Sequence, residues 1–450
     1  MTGVPIRRNT PIGAPIGGPM PAYGRMPAAV ETGVLERLLA RVEPLLYIYV
    51  IALSSGALGF IDILVTGDAY VRQDTSLFAR LQWPMIYLAF GALAWIHGRA
   101  AVGAAIAAWP ILLWPAVAWL SVVWSVDPAT TLGQALRFSV TVLIGVLIGV
   151  RLSVPRLAVM VFFVTLAGVG LSVLLTLAGV GFALAPGGDA RGIYFHKNML
   201  GGQAVLLFAL SAVLLLRGRL VPFALVGCIA ALLATMLSDS ATSAAVTALL
   251  LIGLPLLAAL AMRPLAAATM VFTALLFASV IALLFLHYGT DPYTEALRLL
   301  DRDPTLTGRW DLWDAALAQI GDRPVLGYGF AAFWTAGADW RTQAVLAELG
   351  DVGHFHNTFL EIAVQLGLLG VALVAAVLLL SFATWIHALV RRRDVILAWP
   401  PALWTLLMIA GLAEVVLFVK HGLFQILFVA LFVQIVLLRR SQPDPAGGVQ

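Results

Sequence analysis

Residues 243–262 read SAAVTALLLIGLPLLAALAM, a run without a single Lys, Arg, Asp or Glu. A helix needs about 20 apolar residues, at ~1.5 Å rise each, to cross the hydrocarbon of a bilayer. This run is that long. Working outward from it, runs of the same kind fall near 44–65, 80–97, 101–124, 132–150, 155–178, 199–216, 220–237, 266–287, 358–388, 396–417 and 421–438. The pattern predicts an all-α polytopic membrane protein of about 12 transmembrane helices. Composition agrees, because the 450 residues are 61% hydrophobic and 11% charged. A soluble chain of that kind would expose large apolar patches. The net charge of +4 is spread through short loops and makes no nucleic-acid surface. The single cysteine, Cys228, lies inside an apolar run, which excludes an intrachain disulfide and a cysteine-based metal site.

Residues 1–30 are rich in Pro and Gly, carry Arg7, Arg8 and Arg25, and lack the apolar core of a cleavable signal peptide. They read as a disordered cytosolic tail, with 1–43 leading into the first helix. The remaining short-loop arginines are one-sided. Arg37, Arg41, Arg99, Arg151, Arg156, Arg217, Arg219, Arg263, Arg391, Arg392, Arg393, Arg439 and Arg440 fall on one side. The other side's short loops hold Arg72, Arg80, Arg191, Lys197 and Lys420. The positive-inside rule then places both termini in the cytosol. Helices 1–9 occupy 44–287, helices 10–12 occupy 358–438, and 439–450 is a second cytosolic tail. The polar segment 288–357 becomes a large external loop between helices 9 and 10.

The ionisable residues inside the apolar runs crowd toward that outer face. They are Asp62, Arg137, Asp239, Glu361, Glu414 and Lys420. Such residues are costly in lipid and mark sites or pathways. A transporter should also wet the inner half, or place its site at the midplane on broken helices. The asymmetry points to a site that opens outward. The plainer alternative is mutual pairing, for example Arg137 with Glu414.

Within 288–357, Thr307 is placed to cap a helix whose apolar face would be Trp310, Trp313, Leu317 and Ile320. Gly321 and Pro324 stop it. Gly327-Tyr328-Gly329 marks a tight turn, and a second helix is expected over Asp339–Leu349, ending at Gly350. Trp334 and Trp340 read as interfacial anchors. His354, His356 and Asn357 then precede a capping box in which Thr358 is the N-cap and Glu361 the N3 residue. The positive end of that helix favours anions, and a neutral histidine there can accept a proton. His356 and Asn357 could instead merely help cap the helix. Gly192 to Asn198 repeats the design before the sixth helix, with His196 beside Lys197 and Asn198 as the expected cap. Two helix starts with Arg191, Lys197, Arg309 and Arg323 nearby suit a diphosphate. His354 and His356 could form half a metal site with Glu361 or His196. No second ligand pair stands out, so neither a metal nor another cofactor is expected.

Together, these residues resemble the O-antigen ligase and Wzy polymerase family of bacterial envelope glycosyltransferases. The resemblance rests on Trp124-Ser125-Val126-Asp127-Pro128, on Gly192 to Asn198 and on Ser238-Asp239-Ser240-Ala241-Thr242. It continues in Gly308-Arg309-Trp310, Pro324 to Gly329, His356 to Glu361 and Leu366-Gly367-Leu368-Leu369-Gly370. It implies a GT-C-like membrane glycosyltransferase of the bacterial inner membrane, with its active site on the periplasmic side. The donor it implies is an undecaprenyl-diphosphate-linked oligosaccharide. The acceptor is a growing glycan in polymerases or lipid A-core in ligases, and a chain-length regulator protein is a possible partner. By resemblance, Arg309 holds the diphosphate and His356 serves the acceptor as base or positioning group, with Arg191 and Lys197 assisting on the carrier. Many members have an arginine where this chain has Ala241. The His-Lys-Asn form at 196–198 leans toward exopolysaccharide polymerases of the ExoQ type.

Overall fold

The computed structural model describes residues 34–66, 77–185, 187–263, 309–337 and 353–440. The expected N-terminal tail, the span 266–287, Thr307, the second loop helix at 339–349 and Trp340 lie outside the described residues. Those described are helical almost throughout. In chain order they form α1 (Val34–Ser54), α2 (Phe60–Thr66), α3 (Leu77–Ala107), α4 (Leu113–Leu120), α5 (Pro128–Arg151), α6 (Val154–Leu177) and α7 (Lys197–Leu216). There follow α8 (Val221–Leu237), α9 (Ala241–Met262), α10 (Arg309–Asp322), α11 (Thr358–Arg392), α12 (Trp399–Ala410) and α13 (Leu423–Arg440).

Among them, 7 helices are long and apolar enough to cross a membrane. They are α3, α5, α6, α7, α9, α11 and α13. Shorter apolar helical segments run over Trp109–Val123, Val221–Leu237 and Val395–Ala410. The expected spans depart from this in three places. The runs 80–97 and 101–124 are not two spans meeting at Gly98-Arg99. One helix continues to Ala107, because neither residue removes a backbone hydrogen bond, and the break comes where Pro110 follows. The first run is already helical at Val34, ahead of the expected start, and breaks after Ser54, where Gly56 turns with φ +79°. The run 396–417 stops being helical at Ala410, so residues 411–422 form an irregular connection.

α7 and α13 fill the interior. α13 packs on α5 through Gly145 and Gly149, one turn apart. A Cβ at Gly145 would come within 2.7 Å of the Val429 Cβ, and one at Gly149 within 2.8 Å of the Ala430 carbonyl oxygen. This is the small-xxx-small contact that lets helix backbones approach where lipid offers no hydrophobic drive. α5, α7, α9 and α11 all run from the end that carries the polar loops to an opposite end rich in arginine. At that opposite end Glu43 accepts from Arg151 Nε at 2.7 Å and Nη2 at 2.9 Å. Arg217 pairs with Asp394 at 2.9 Å.

The loop that follows α10 is inserted into a broken helix. α11 is interrupted at Gly367, with φ +66° and ψ −171°. The carbonyls released there accept from the loop, Tyr328 N to Val364 O at 2.9 Å and Gly329 N to Gln365 O at 2.8 Å. Beyond the break, Leu368 N donates to Pro324 O at 2.8 Å and Leu369 N to Val325 O at 3.3 Å. The two glycines face each other's backbones. A Cβ on Gly367 would lie 2.2 Å from the Val325 carbonyl, and one on Gly327 would lie 2.5 Å from Val364 O. On its other side the loop is held by the 121–131 corner. Trp124 Nε1 donates to Leu326 O at 2.8 Å, Val126 N to Tyr328 O at 3.0 Å, and Phe330 N to Ser121 Oγ at 3.0 Å. The Trp-Ser-Val-Asp-Pro motif is thus the socket for the Gly-Tyr-Gly turn, and Asp127 also caps α5 through Thr130 N at 3.0 Å.

Gly367→Ala meets both a left-handed φ and the Val325 backbone. The strained φ alone costs on the order of 1–3 kcal/mol, and the collision adds to it. The variant is expected to show a clearly lower melting temperature in detergent, read by the fluorescence of the loop tryptophans. Gly103→Ala, a glycine within α3 whose Cβ would meet open space, should melt at or slightly above the wild-type temperature.

Candidate functional site

The site is assembled at the end of the bundle where α7 and α11 begin. The cap of α11 is Asn357, one residue earlier than expected. Its Oδ1 accepts from Phe359 N at 2.9 Å and from Leu360 N at 3.1 Å. Thr358 is therefore the first helical residue, and its hydroxyl is turned to the 411–422 connection. It donates to Glu414 O at 2.9 Å and accepts from Val416 N at 3.0 Å, while its own N donates to Gly411 O at 2.7 Å. Glu361 reaches back past the cap to Phe355 N at 3.0 Å. It also accepts from Trp334 Nε1 at 2.8 Å and Gln365 Nε2 at 2.6 Å. It is buried and organises the loop, and Trp334, expected as an interfacial anchor, is turned inward to it.

α7 is likewise capped one or two residues ahead of expectation. His196 Nδ1, not the Asn198 side chain, accepts the Asn198 N–H at 3.2 Å. That frees the Asn198 amide to donate to Glu414 Oε1 at 2.6 Å. Glu414 is where the site converges. Arg309 Nη2 lies 3.2 Å from its Oε1, and His356 Nδ1 lies 3.2 Å from its Oε2. Residues from α7, from the start of α10 and from the turn before α11 thus meet on one carboxylate carried by a non-helical segment. Burial alone would push the Glu414 carboxyl up. The hydrogen bond and charge of His356, with the charges of His354 and Arg309, outweigh it and hold the pKa below the usual carboxylate range. Glu414 is therefore an ionised, acceptor-only group.

That fixes the histidines. Facing a carboxylate, His356 Nδ1 must carry the proton, which makes Nε2 the ring's basic atom. His354 and His196 are the opposite tautomer, because the Nδ1 of each accepts a backbone N–H at 3.2 Å, from His356 and Asn198 respectively. The His354 and His356 rings stack edge to face with centroids 4.2 Å apart. His356 itself sits at φ +48°, a left-handed conformation that a non-glycine residue adopts at a cost. The donor atoms of His354, His356 and Glu414 lie within 4.8 Å of one another, close enough for one ion. The Arg309 guanidinium also supplies positive charge to the same carboxylate.

Other expected site residues lie elsewhere. Lys197 pairs with Asp189 at 2.7 Å, beside the cluster. Loss of water around His196 lowers its pKa; Glu414 opposes this, and the charges of His356, Lys197 and Arg309 add to it. Arg191 is 3% exposed, and its Nε donates to Phe182 O at 2.9 Å, so it braces the loop before α7. Arg323 lies over the Tyr328 ring at 4.8 Å and faces outward. Arg137 is exposed on α5 and does not pair with Glu414. Its charge acts on Tyr87 and His421. The buried face of α10 is Leu312, Ala316 and Gln319, whereas Trp310 and Leu317 are 47% and 56% exposed. The expected apolar stripe was misplaced because Gln319 is drawn inside by Tyr328, whose hydroxyl donates to it at 2.6 Å. The residue that sequence reasoning left out of the site is Glu414. Its signal was an acidic residue inside an apolar run, read there as an end-of-helix charge.

Residues 226–375 match the Wzy_C family model, described as O-Antigen ligase. The exopolysaccharide production protein ExoQ of Rhizobium meliloti (strain 1021) is 32% identical over 201 residues, 42% of this chain and 45% of that protein. The match thus spans less than half of that relative's length. In class, the chain is a helical protein with 7 described helices long and apolar enough to cross a membrane, and one third of it is similar to the O-antigen ligase family model. That region contains α9, α10, the inserted loop, His356 and the first half of α11. Asn198 and Glu414 fall outside it.

Asn357→Ala removes the cap and should cost about 1 kcal/mol. Thr358→Val leaves Glu414 O and Val416 N without their shared partner and should cost about 1–3 kcal/mol, while Thr358→Ser restores the hydroxyl and most of the stability. Melting temperatures of the purified variants order the three. A Thr358→Val protein as stable as wild type would show that the hydroxyl does not hold the 411–422 connection.

Proposed function

We propose that the protein transfers a glycan from an undecaprenyl-diphosphate-linked oligosaccharide to the hydroxyl of a glycan acceptor, at the outer face of the bacterial inner membrane. The observation that carries this reading is the convergence of Arg309, His356 and Asn198 on Glu414 at one end of the bundle. A diphosphate is already a good leaving group, so catalysis needs cations at its departing oxygens and a base at the attacking hydroxyl. Arg309 supplies the first, through a planar guanidinium that matches a phosphate's oxygens. His356 Nε2 supplies the second. The acceptor oxygen bonds to the anomeric carbon, the bond from that carbon to the diphosphate oxygen breaks, and its electron pair leaves with the diphosphate. The hydroxyl proton goes to Nε2. Lys197, held by Asp189, adds positive charge on the approach.

Polymerisation of repeat units is the preferred form. It is supported by the likeness to a protein described as acting in exopolysaccharide production and by the His-Lys-Asn start of α7. Ligation to lipid A-core is the second form, supported by the family description. The arginine-rich end, where Arg151, Arg217, Arg263 and Arg391–Arg393 finish four helices, supports placing that end in the cytosol and the site in the periplasm.

His356→Ala is expected to lower polysaccharide output on the order of a hundredfold at matched membrane abundance, with donor binding retained. His354→Ala and His196→Ala, whose Nδ1 atoms are committed to backbone, should cost far less. Arg309→Ala should be nearly inactive and weak in donor binding. Arg309→Lys should be badly impaired, because it keeps the charge without the planar fork. Near-normal output from His356→Ala would reduce that residue to a neighbour of the cap. Transfer by the purified enzyme should persist in a chelator. In a deletion strain, single repeat units on the carrier mark a polymerase, whereas long carrier-linked chains mark a ligase.

A further inference from the structure

Glu414 holds three neighbours with one carboxylate. Oε1 takes Arg309 at 3.2 Å and Asn198 at 2.6 Å, and Oε2 takes His356 at 3.2 Å. Only one of these partners is exchangeable. Asn198 lies in the first turn of α7, and His356 is held in its left-handed turn beside the Asn357 cap. The Glu414 backbone is itself tied to Thr358. Arg309, by contrast, opens α10 on a long side chain and meets the carboxylate through a single nitrogen. Resting on the reading above, in which Arg309 holds the donor diphosphate, we propose that Glu414 is a positioning residue that stands in for the donor's anion on Arg309 and turns its charge to His356 when the diphosphate arrives.

Without donor, the carboxylate neutralises Arg309, keeps the guanidinium aimed at the site, and spends part of its field on it. A diphosphate carries more negative charge than a carboxylate and can accept both arms of the guanidinium. It takes the fork, and Glu414, tethered by Asn198 and by its own carbonyl, cannot follow. Its charge is then met by His356. The His356 Nδ1–H then faces a carboxylate that Arg309 no longer shares, so the ring is held with Nε2 free for the acceptor. Proton removal from the acceptor is thereby tied to donor occupancy. The hydroxyl proton ends on Nε2, the new bond joins acceptor oxygen to anomeric carbon, and the broken bond leaves its electrons on the diphosphate at Arg309. Among the described residues, the other charged groups facing the pair include His196 and Lys197 at the start of α7, Asp189 on Lys197, His354 beside His356, and Glu361 in α11. Of the acidic ones, neither Asp189 nor Glu361 is bonded to the His356 ring.

The test uses the full-length protein, purified, with undecaprenyl diphosphate as binding probe and a lipid-linked oligosaccharide for turnover. Glu414→Gln keeps the shape and the Asn198 contact but removes the charge. It should bind undecaprenyl diphosphate about tenfold more tightly, because Arg309 is no longer occupied. Its turnover should fall on the order of a hundredfold. A side chain that only braced the fold would not produce tighter binding together with slower turnover. Probe binding that is unchanged or weaker in Glu414→Gln, or turnover within twofold of wild type, overturns the proposal. Glu414→Asp answers the same question if the Gln variant does not fold. It keeps the charge, so its probe affinity should stay near wild type while turnover drops, and tighter binding there also overturns the proposal. Arg309→Ala is run beside them. Normal probe binding in that variant removes the diphosphate from Arg309, a failure of the functional reading that is distinct from any result at Glu414.

Discussion

The backbone exchange between α11 and the loop after α10 is the contact on which the rest of the structure depends. A helix interrupted inside a membrane protein releases carbonyl and N–H groups, each costing several kcal/mol if left bare in lipid. Here the break at Gly367 is filled by Pro324 to Gly329, and the freed groups of α11 pair with those of the loop. The loop cannot leave without exposing the helix, and the helix cannot straighten without expelling the loop. Because α10 lies directly before this insertion, its first residue, Arg309, is brought to the start of α11, where His356 waits. The described part of the polar segment, residues 309–337, thus behaves as part of the bundle although it lies between two long apolar regions of the chain.

The second constraint is electrostatic. A carboxylate enclosed by protein is penalised unless it is paired and hydrogen bonded. Glu414 has both kinds of partner, and they come from distant parts of the sequence. Removing any one leaves the others with a poorly compensated charge, so the cluster specifies a single arrangement of α7, α10 and the 411–422 connection. The same argument explains why that connection is not helical. The Thr358 hydroxyl and N–H and the Asn357 amide satisfy Gly411 O, Leu412 O, Glu414 O and Val416 N, which a regular helix would have had to satisfy internally.

Much of the bundle was legible in the sequence. α5, α6, α7, α8, α9 and α13 fall within a few residues of the apolar runs that predict them, because hydrophobic length is the property a bilayer selects. What misled was local. Gly98-Arg99 looked like a turn and is a helix interior. Thr358 matched a capping box, yet Asn357, with its longer-reaching amide oxygen, takes the cap. The placements of Arg309, His356 and Asn198 near one another followed from reading two helix starts as one anion site. Glu414 was visible as an acidic residue inside an apolar run, but its partners were not, since they depend on three-dimensional convergence. Arg191 shows the converse, a conspicuous cation that the fold uses to brace a loop.

The close seat of α13 against Gly145 and Gly149 has a consequence for biogenesis. α13 is the last of the described helices to leave the ribosome, yet it is an interior helix, and the 411–422 connection that carries Glu414 emerges just before it. Until α13 slides into place, α5 lacks its partner and the carboxylate has no fixed position. Helices inserted earlier therefore wait as an open scaffold, and the site closes as a late event of synthesis. A half-made chain would carry Arg309 and His356 without the carboxylate that holds them together.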